Sequence, residues 1–227
     1  MKWYTAIGVK KSGMDGRFCV AVMKEEKVLT GMEIEIWSAM LWAFCEEQDV
    51  MGRVMGLLRI AFGEEEAQKV KEAEFRYCLR RLETRGLIAA GEGETAEEAV
   101  EGLMRRVTMV RAQYPLRERL AVFWNSLSMG KGLRFSLRAL KKHRLTPAEE
   151  SLLKRLDADG RIDSHLKLLE DHAKQVAELV VVEDTGFERS VQQDFIADVI
   201  ALYGRKQLLI ESIRKEEIFE EMEEAVL

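Results

Sequence analysis

The spacing of apolar residues divides the chain into a strand-rich start and a long helical remainder. "WYTAIGV" and "FCVAV" are β-branched and aromatic runs separated by the turn-rich "KKSGMDG", a pattern that predicts strands. The second run continues into "MKEEKVL". This predicts a hairpin of Phe18–Met23, a turn near Lys24–Glu26 and a return at Lys27–Leu29, whose paired backbones satisfy each other. From Thr30 to Gly63 the period lengthens and two helices are predicted. The first, in "MEIEIWSAMLWAFCEE", sets Ile36, Met40, Ala43 and Phe44 on one face, with Trp37 and Leu41 beside them. The second follows Gln48, with Asp49 as N-cap and Gly63 as stop.

A third helix is predicted from near Glu64, its acidic start and basic end matching the helix dipole. Its last turns, "EFRYCLRRLETRGLI", put Phe75, Cys78, Leu79 and Leu82 on one stripe and Arg76, Arg80, Arg81 and Arg85 away from it. Gly86 ends the helix, and "LIAAGEG" reads as a short strand and turn.

Beyond Thr95 the pattern is helical almost throughout. "TAEE" has capping-box spacing and opens a helix predicted to run through "AVEGLMRRVTMVRAQ" to Pro115. "PLRERLAVFWNSLSMG" and "LRFSLRALKKHR" predict two more, around Gly130–Gly132. "TPAEE" predicts a short helix with Thr146 as N-cap, Pro147 at N1 and Glu149 at N3, ending near "LDADG"; "SHLKLLEDHAKQVAELVVV" forms the next. "TGFE" at Thr185–Glu188 introduces a run with no strong breaker except Gly204, predicting a helix of about forty residues, or roughly 60 Å. Phe187, Val191, Phe195, Val199 and Leu202 mark its apolar side. A helix that long needs a partner, either within the chain or on a second copy; a homodimer through the C-terminal helices is expected.

The expected fold is therefore mainly α with a small N-terminal β-hairpin or sheet. Two domains are expected, 1–93 with the strands and 94–227 helical. The 227 residues, 47% hydrophobic and 33% charged, suffice for a full core. No stretch of about 18 uncharged apolar residues occurs, and the start is too soon charged for a signal peptide, so no membrane span is expected. Cys19, Cys45 and Cys78 are odd in number and lack metal-like spacing, which suits reduced thiols in the cytoplasm.

Charge is distributed unevenly. The net of −5 comprises −2 in residues 1–50, −2 in 51–100, +9 in 101–155 and −10 in 156–227. Between Arg105 and Arg144 stand 11 Lys or Arg and one acid, Glu118, with Tyr114, Phe123, Trp124 and Phe135 interleaved. Such a block either binds a polyanion or docks on the acidic C-terminal block, within the chain or across a dimer. The third-helix arginines likewise have two readings. They contact phosphates and guanine edges, or they pair with Glu72, Glu74 and Glu83 at helical spacing.

The order hairpin, helix, helix, helix, short strand over roughly residues 17–93 resembles the winged-helix superfamily. "VLTGMEIEIWSAML" followed by "EFRYCLRRLETRGLI" carries the resemblance. The Ile36–Trp37 pair and the ending Leu79, Leu82, Gly86, Leu87, Ile88 also look like the small peptide-binding winged-helix domains, of which the pyrroloquinoline quinone peptide chaperone is one. The resemblance implies one of two uses. The third helix enters the major groove of DNA, or an extended peptide adds beside an N-terminal strand. "AAGEGETAEE", where a DNA-contacting wing would lie, is acidic and short.

Other candidates are excluded by spacing. "SMGKG" lacks the early glycine and the Ser or Thr of a P-loop. "LDADGRID" would put Arg155 and Leu166 at ligand positions of a calcium loop, so it reads as a turn capping the next helix. His165 and His172 lie two helical turns apart, too far to share one metal, and His143 sits among cations. No catalytic residue, metal or cofactor is expected.

The sequence thus favours a DNA-binding protein, a transcriptional regulator with a helical dimerisation or effector domain. Arg76, Arg80, Arg81, Arg85, Arg105, Arg106, Lys131, Arg134, Arg138, Lys141, Lys142 and Arg144 are its expected contacts with duplex DNA. The alternatives are a peptide- or protein-binding module and a purely structural helical assembly.

Overall fold

A computed structural model describes residues 1–12, 17–65, 70–112, 145–180 and 185–214. Within them the chain is mainly helical with small antiparallel sheets. Its elements run β1 (Lys2–Ala6), β2 (Val9–Ser12), β3 (Phe18–Val22), β4 (Glu25–Val28), α1 (Met32–Met40), β5 (Cys45–Glu46), α2 (Glu47–Phe62), α3 (Glu72–Thr84), β6 (Ile88–Glu92), α4 (Ala96–Arg106), β7 (Val107–Arg111), α5 (Pro147–Ala158), α6 (Ile162–Val180), α7 (Thr185–Gly204) and β8 (Leu208–Ile213). The sheets are ordered β5-β1-β6, β2-β3-β4 and β7-β8. No helix among the described residues is long and apolar enough to cross a membrane.

The β5-β1-β6 sheet is a wall between two cores. Side chains alternate across a strand, so β1 serves both. Tyr4 and Ala6 join a cluster with Val20, Leu29, Ile36, Trp37, Phe75, Leu79 and Leu82. Ile7, beyond the strand's end, belongs instead to the cluster of Leu103, Met109, Leu156, Leu166, Val199 and Tyr203. β6 repeats the division, Ile88 facing the first cluster and Ala89 the second. The buried Thr5 hydroxyl shares a 2.8 Å hydrogen bond with Tyr203 Oη, and Gly8 N donates to Ile210 O at 2.7 Å.

The predicted hairpin is present as β3 and β4, and "LIAAGEG" supplies β6. Thr95 with Glu98, and Thr146 with Glu149, form reciprocal capping boxes, with Pro147 in the first turn. Gly86, at φ +66, closes α3: Leu87 N reaches Leu82 O and Gly86 N reaches Glu83 O, the Schellman pattern.

Five boundaries differ from the sequence pattern. The first helix stops at Met40 because Trp42 turns into the left-handed region (φ +61) and gives its N–H to Tyr203 Oη at 3.1 Å. Cys45 and Glu46 then pair with β1 as β5. α2 consequently begins at Glu47, with Asp49 in its first turn rather than at the N-cap. α3 begins at Glu72, not near Glu64, so Glu72 and Glu74 supply its acidic start.

α4 ends at Arg106, and the β-branched "VTMVR" becomes β7. The forty-residue helix is absent for a matching reason. α7 ends at Gly204, and "LLIESI" becomes β8, paired with β7 from Val107↔Ile213 to Arg111↔Leu208. Strand pairing over five residues of β7 overrides an ambiguous local helical pattern. The two helices expected around Gly130–Gly132 lie outside the described residues, as do the side chains of the "TGFE" box.

Candidate functional site

The site is assembled around α3. Phe75, Leu79 and Leu82 are buried as predicted, which leaves the arginines outward. They do not form a free basic face. Arg76 pairs with Glu72 at 2.7 Å, one turn away, and with Glu47 of α2 at 2.9 Å. Arg81 Nε reaches Glu33 at 3.0 Å, and Arg85 Nη1 reaches the same carboxylate at 2.9 Å. Arg80 makes no ion pair among the described residues. It borders a cleft of about 280 Å³ with Lys2, Tyr4, Glu47, Arg76 and Glu83, where Lys2 and Glu83 pair at 2.9 Å.

Glu33 is the organising group. Its side chain is 2% exposed, yet it receives two guanidinium groups and the Thr30 N–H at 3.3 Å. Arg85 extends the network: Nη2 donates to Val28 O of β4 at 2.7 Å, while Lys27 Nζ donates to Arg85 O at 2.7 Å. The clamp therefore ties the start of α1, the end of α3 and strand β4 together. Beside it, burial pushes the Cys78 thiol up, with Glu33 and Glu74 adding to the shift and Arg81 opposing it.

Among the described residues β4 is an edge strand. Leu29 N donates to Phe18 O at 3.0 Å, which fixes the ladder's alternation. Lys27 and Glu25 face β3 with their backbone groups, whereas those of Glu26 and Val28 face outward. Of these, Val28 O is met by Arg85. The Val28 side chain is also 38% exposed. Strand Phe18–Met23, the expected docking strand of the peptide alternative, is instead central, with β2 and β4 on its two sides.

The basic block contributes little on view. Arg105 binds Glu101 at 3.0 Å and Gln192 Oε1 at 2.9 Å; Arg106 donates to Ala90 O of β6. Both therefore secure α4 to its neighbours. Lys131, Arg134, Arg138, Lys141, Lys142 and Arg144 lie outside the described residues. After β6 the chain enters α4 directly, and the strand beside β6 is β1, so no hairpin follows the third helix.

The "LDADGRID" turn has a structural use. Asp159 accepts from Arg161 N at 3.0 Å and from its guanidinium at 2.9 Å, which holds the carboxyl far below its usual range. Gly160 O receives Met109 N at 2.8 Å, attaching the turn to β7. His165 Nε2 lies 2.6 Å from Asp159 O. Among the described residues no group of three His, Cys, Asp or Glu could hold a metal ion.

Sequence reasoning missed Glu33. Its signal was present: it stands three and four residues before Ile36 and Trp37, on the stripe that becomes buried. An acid on such a stripe needs a cationic partner.

No protein-family model, no curated protein and no solved structure matches this chain. The functional reading rests on its own geometry.

Proposed function

We propose that this protein is a peptide- or protein-binding module that takes an extended segment by strand addition along β4. The observation that carries the reading is the outward backbone of Glu26 and the outward N–H of Val28, beside the Val28 carbonyl that Arg85 of the Glu33–Arg81–Arg85 clamp already takes. An edge strand with unpaired N–H and C=O groups is a template for another strand, and adjacent side chains supply selectivity. The order α1, β5, α2, α3, β6 supports a winged-helix-like scaffold for it.

A Val28→Pro variant tests this reading. Proline removes an outward N–H and leaves the β3–β4 ladder bonds in place, and edge strands tolerate it. Screening the intact protein against an extended-peptide array should yield ligands that protect Glu25–Val28 from hydrogen exchange and that bind the variant at least about tenfold more weakly. Ligands that protect other segments, or that bind the variant equally, defeat the proposal.

Duplex DNA is the second reading, favoured by the +10 stretch between Arg105 and Arg144. The α3 arginines lend it little support, since three of the four already hold carboxylates. Fluorescence titration with duplex DNA at two salt concentrations tests it. Affinity weaker than about millimolar at low salt, or indifferent to salt, removes it.

A further inference from the structure

A second cleft lies on the opposite side of β1. It encloses about 480 Å³ between Trp3, the Phe44 turn, α4 and α7. That volume is in the range of small-molecule sites. Trp3, Phe44, Val100, Ile196, Ala197 and Ile200 make its walls apolar, with two aromatic rings among them. The charged residues bordering it are all acids, Glu97, Glu101 and Asp194.

These acids are not equivalent. Glu101 is already paired with Arg105. Glu97 sits in the first turn of α4, where a carboxylate suits the helix dipole. Asp194 lies in the middle of α7 and, like Glu97, makes no ion pair among the described residues. Two exposed carboxylates without an ion pair among the described residues therefore border one apolar, aromatic cleft from different helices.

We propose that this cleft is a binding site for a small amphiphilic organic cation, an amine or quaternary ammonium with an apolar body. The apolar part would cover the Val100, Ile196 and Ile200 surfaces. The cationic head would lie between Glu97 and Asp194, near the aromatic faces that attract cations. An anion of the same shape would meet two carboxylates, while Arg105 of α4 is already engaged by Glu101 and Gln192. The charge complementarity selects the class of ligand. The site is independent of the strand-addition edge, which belongs to the other core.

Hexyltrimethylammonium and hexyl sulfate form the test pair, titrated into the intact protein by calorimetry and by NMR of the Trp3 indole signal, assigned with Trp3→Phe. The cation should bind at one site, at least about tenfold tighter than the sulfate, and should shift the Trp3 signal. Glu97→Gln with Asp194→Asn changes two exposed side chains and should bring the two affinities together while leaving the fold intact. Ala197→Phe should fill the cleft and abolish binding. Failure of the cation to saturate, equal affinity for both probes, or indifference to both sets of variants overturns the proposal.

Discussion

Replacing Glu33 with Gln should destabilise the protein by about 2–3 kcal/mol. The figure lies between two limits. An exposed ion pair contributes about 0–1 kcal/mol, whereas removing one partner of a fully buried pair costs about 3–5 kcal/mol. Glu33 is 2% exposed, but Arg85 is 26% and Arg81 is 49% exposed, so water recovers part of the guanidinium solvation. Arg85 also retains Val28 O as an acceptor, which spares it complete isolation. Urea unfolding would measure the loss as a lower midpoint at unchanged slope. A double-mutant cycle with Arg85→Gln should then give a coupling of about 1 kcal/mol or more, since the two side chains share a hydrogen-bonded pair. A loss below about 0.5 kcal/mol, with no coupling, would mean that the clamp is an ordinary surface network. Glu33 would then add nothing to the bonds by which Arg85 and Lys27 hold β4 against α3.

Three further outcomes follow from other contacts. A Cβ on Gly91 would lie 2.0 Å from Ala99 O, so Gly91→Ala should cost about 1–3 kcal/mol in urea unfolding by forcing α4 off the sheet. Tyr203→Phe removes the partner of the Thr5 hydroxyl and of the Trp42 amide and should cost about 1–3 kcal/mol. The Tyr203 phenol is pushed up to about 12, chiefly by burial, with its hydrogen bonds to Thr5 and Trp42 opposing. Its stabilising contribution is thus complete below the unfolded value of about 10 and lost as pH rises toward the folded one; tyrosinate absorbance should show a late-titrating component that the Phe variant lacks. Asp159 has the opposite sign: its pKa is lowered, first by the Arg161 side-chain hydrogen bond, so its contribution is present above about pH 4 and lost on acidification. Carboxyl NMR should find Asp159 ionised at pH values where free aspartate has protonated, and Arg161→Gln should move its titration back toward the ordinary range while the Arg161 N–H bond remains.

The fold was legible where local signals agreed with one another. "TAEE" and "TPAEE" marked the starts of α4 and α5 because capping is decided within four residues. The Phe75–Leu79–Leu82 stripe was legible for the same reason. "VTMVR" and "LLIESI" were not, because each becomes a strand only through the other, about a hundred residues away. The early end of α1 depends likewise on Tyr203 receiving the Trp42 amide, a contact no local pattern announces. At the site, arginine spacing predicted an outward face correctly. It could not say that Glu33 and Glu47, from other helices, would occupy Arg76, Arg81 and Arg85.

β1 explains how the two proposed binding surfaces can coexist in one chain. A strand buried on both faces reads as a nearly continuous apolar run, and "WYTAI" does so except at Thr5. That exception is met by Tyr203, so the Thr5 hydroxyl enters the second core with its hydrogen bond made. One face of β1 supports the core of Val20 and Leu29, on which the β3–β4 edge is built. From its other side Trp3 borders the cleft against Ile196 and Ile200. A change in β1 itself therefore disturbs both surfaces together, whereas Val28 and the Glu97–Asp194 pair each lie on only one side of the wall. Val28→Pro should leave the cation site untouched, and the carboxylate variants should leave strand addition untouched. If either set abolished both activities, the cause would lie in the shared sheet rather than in the residues changed.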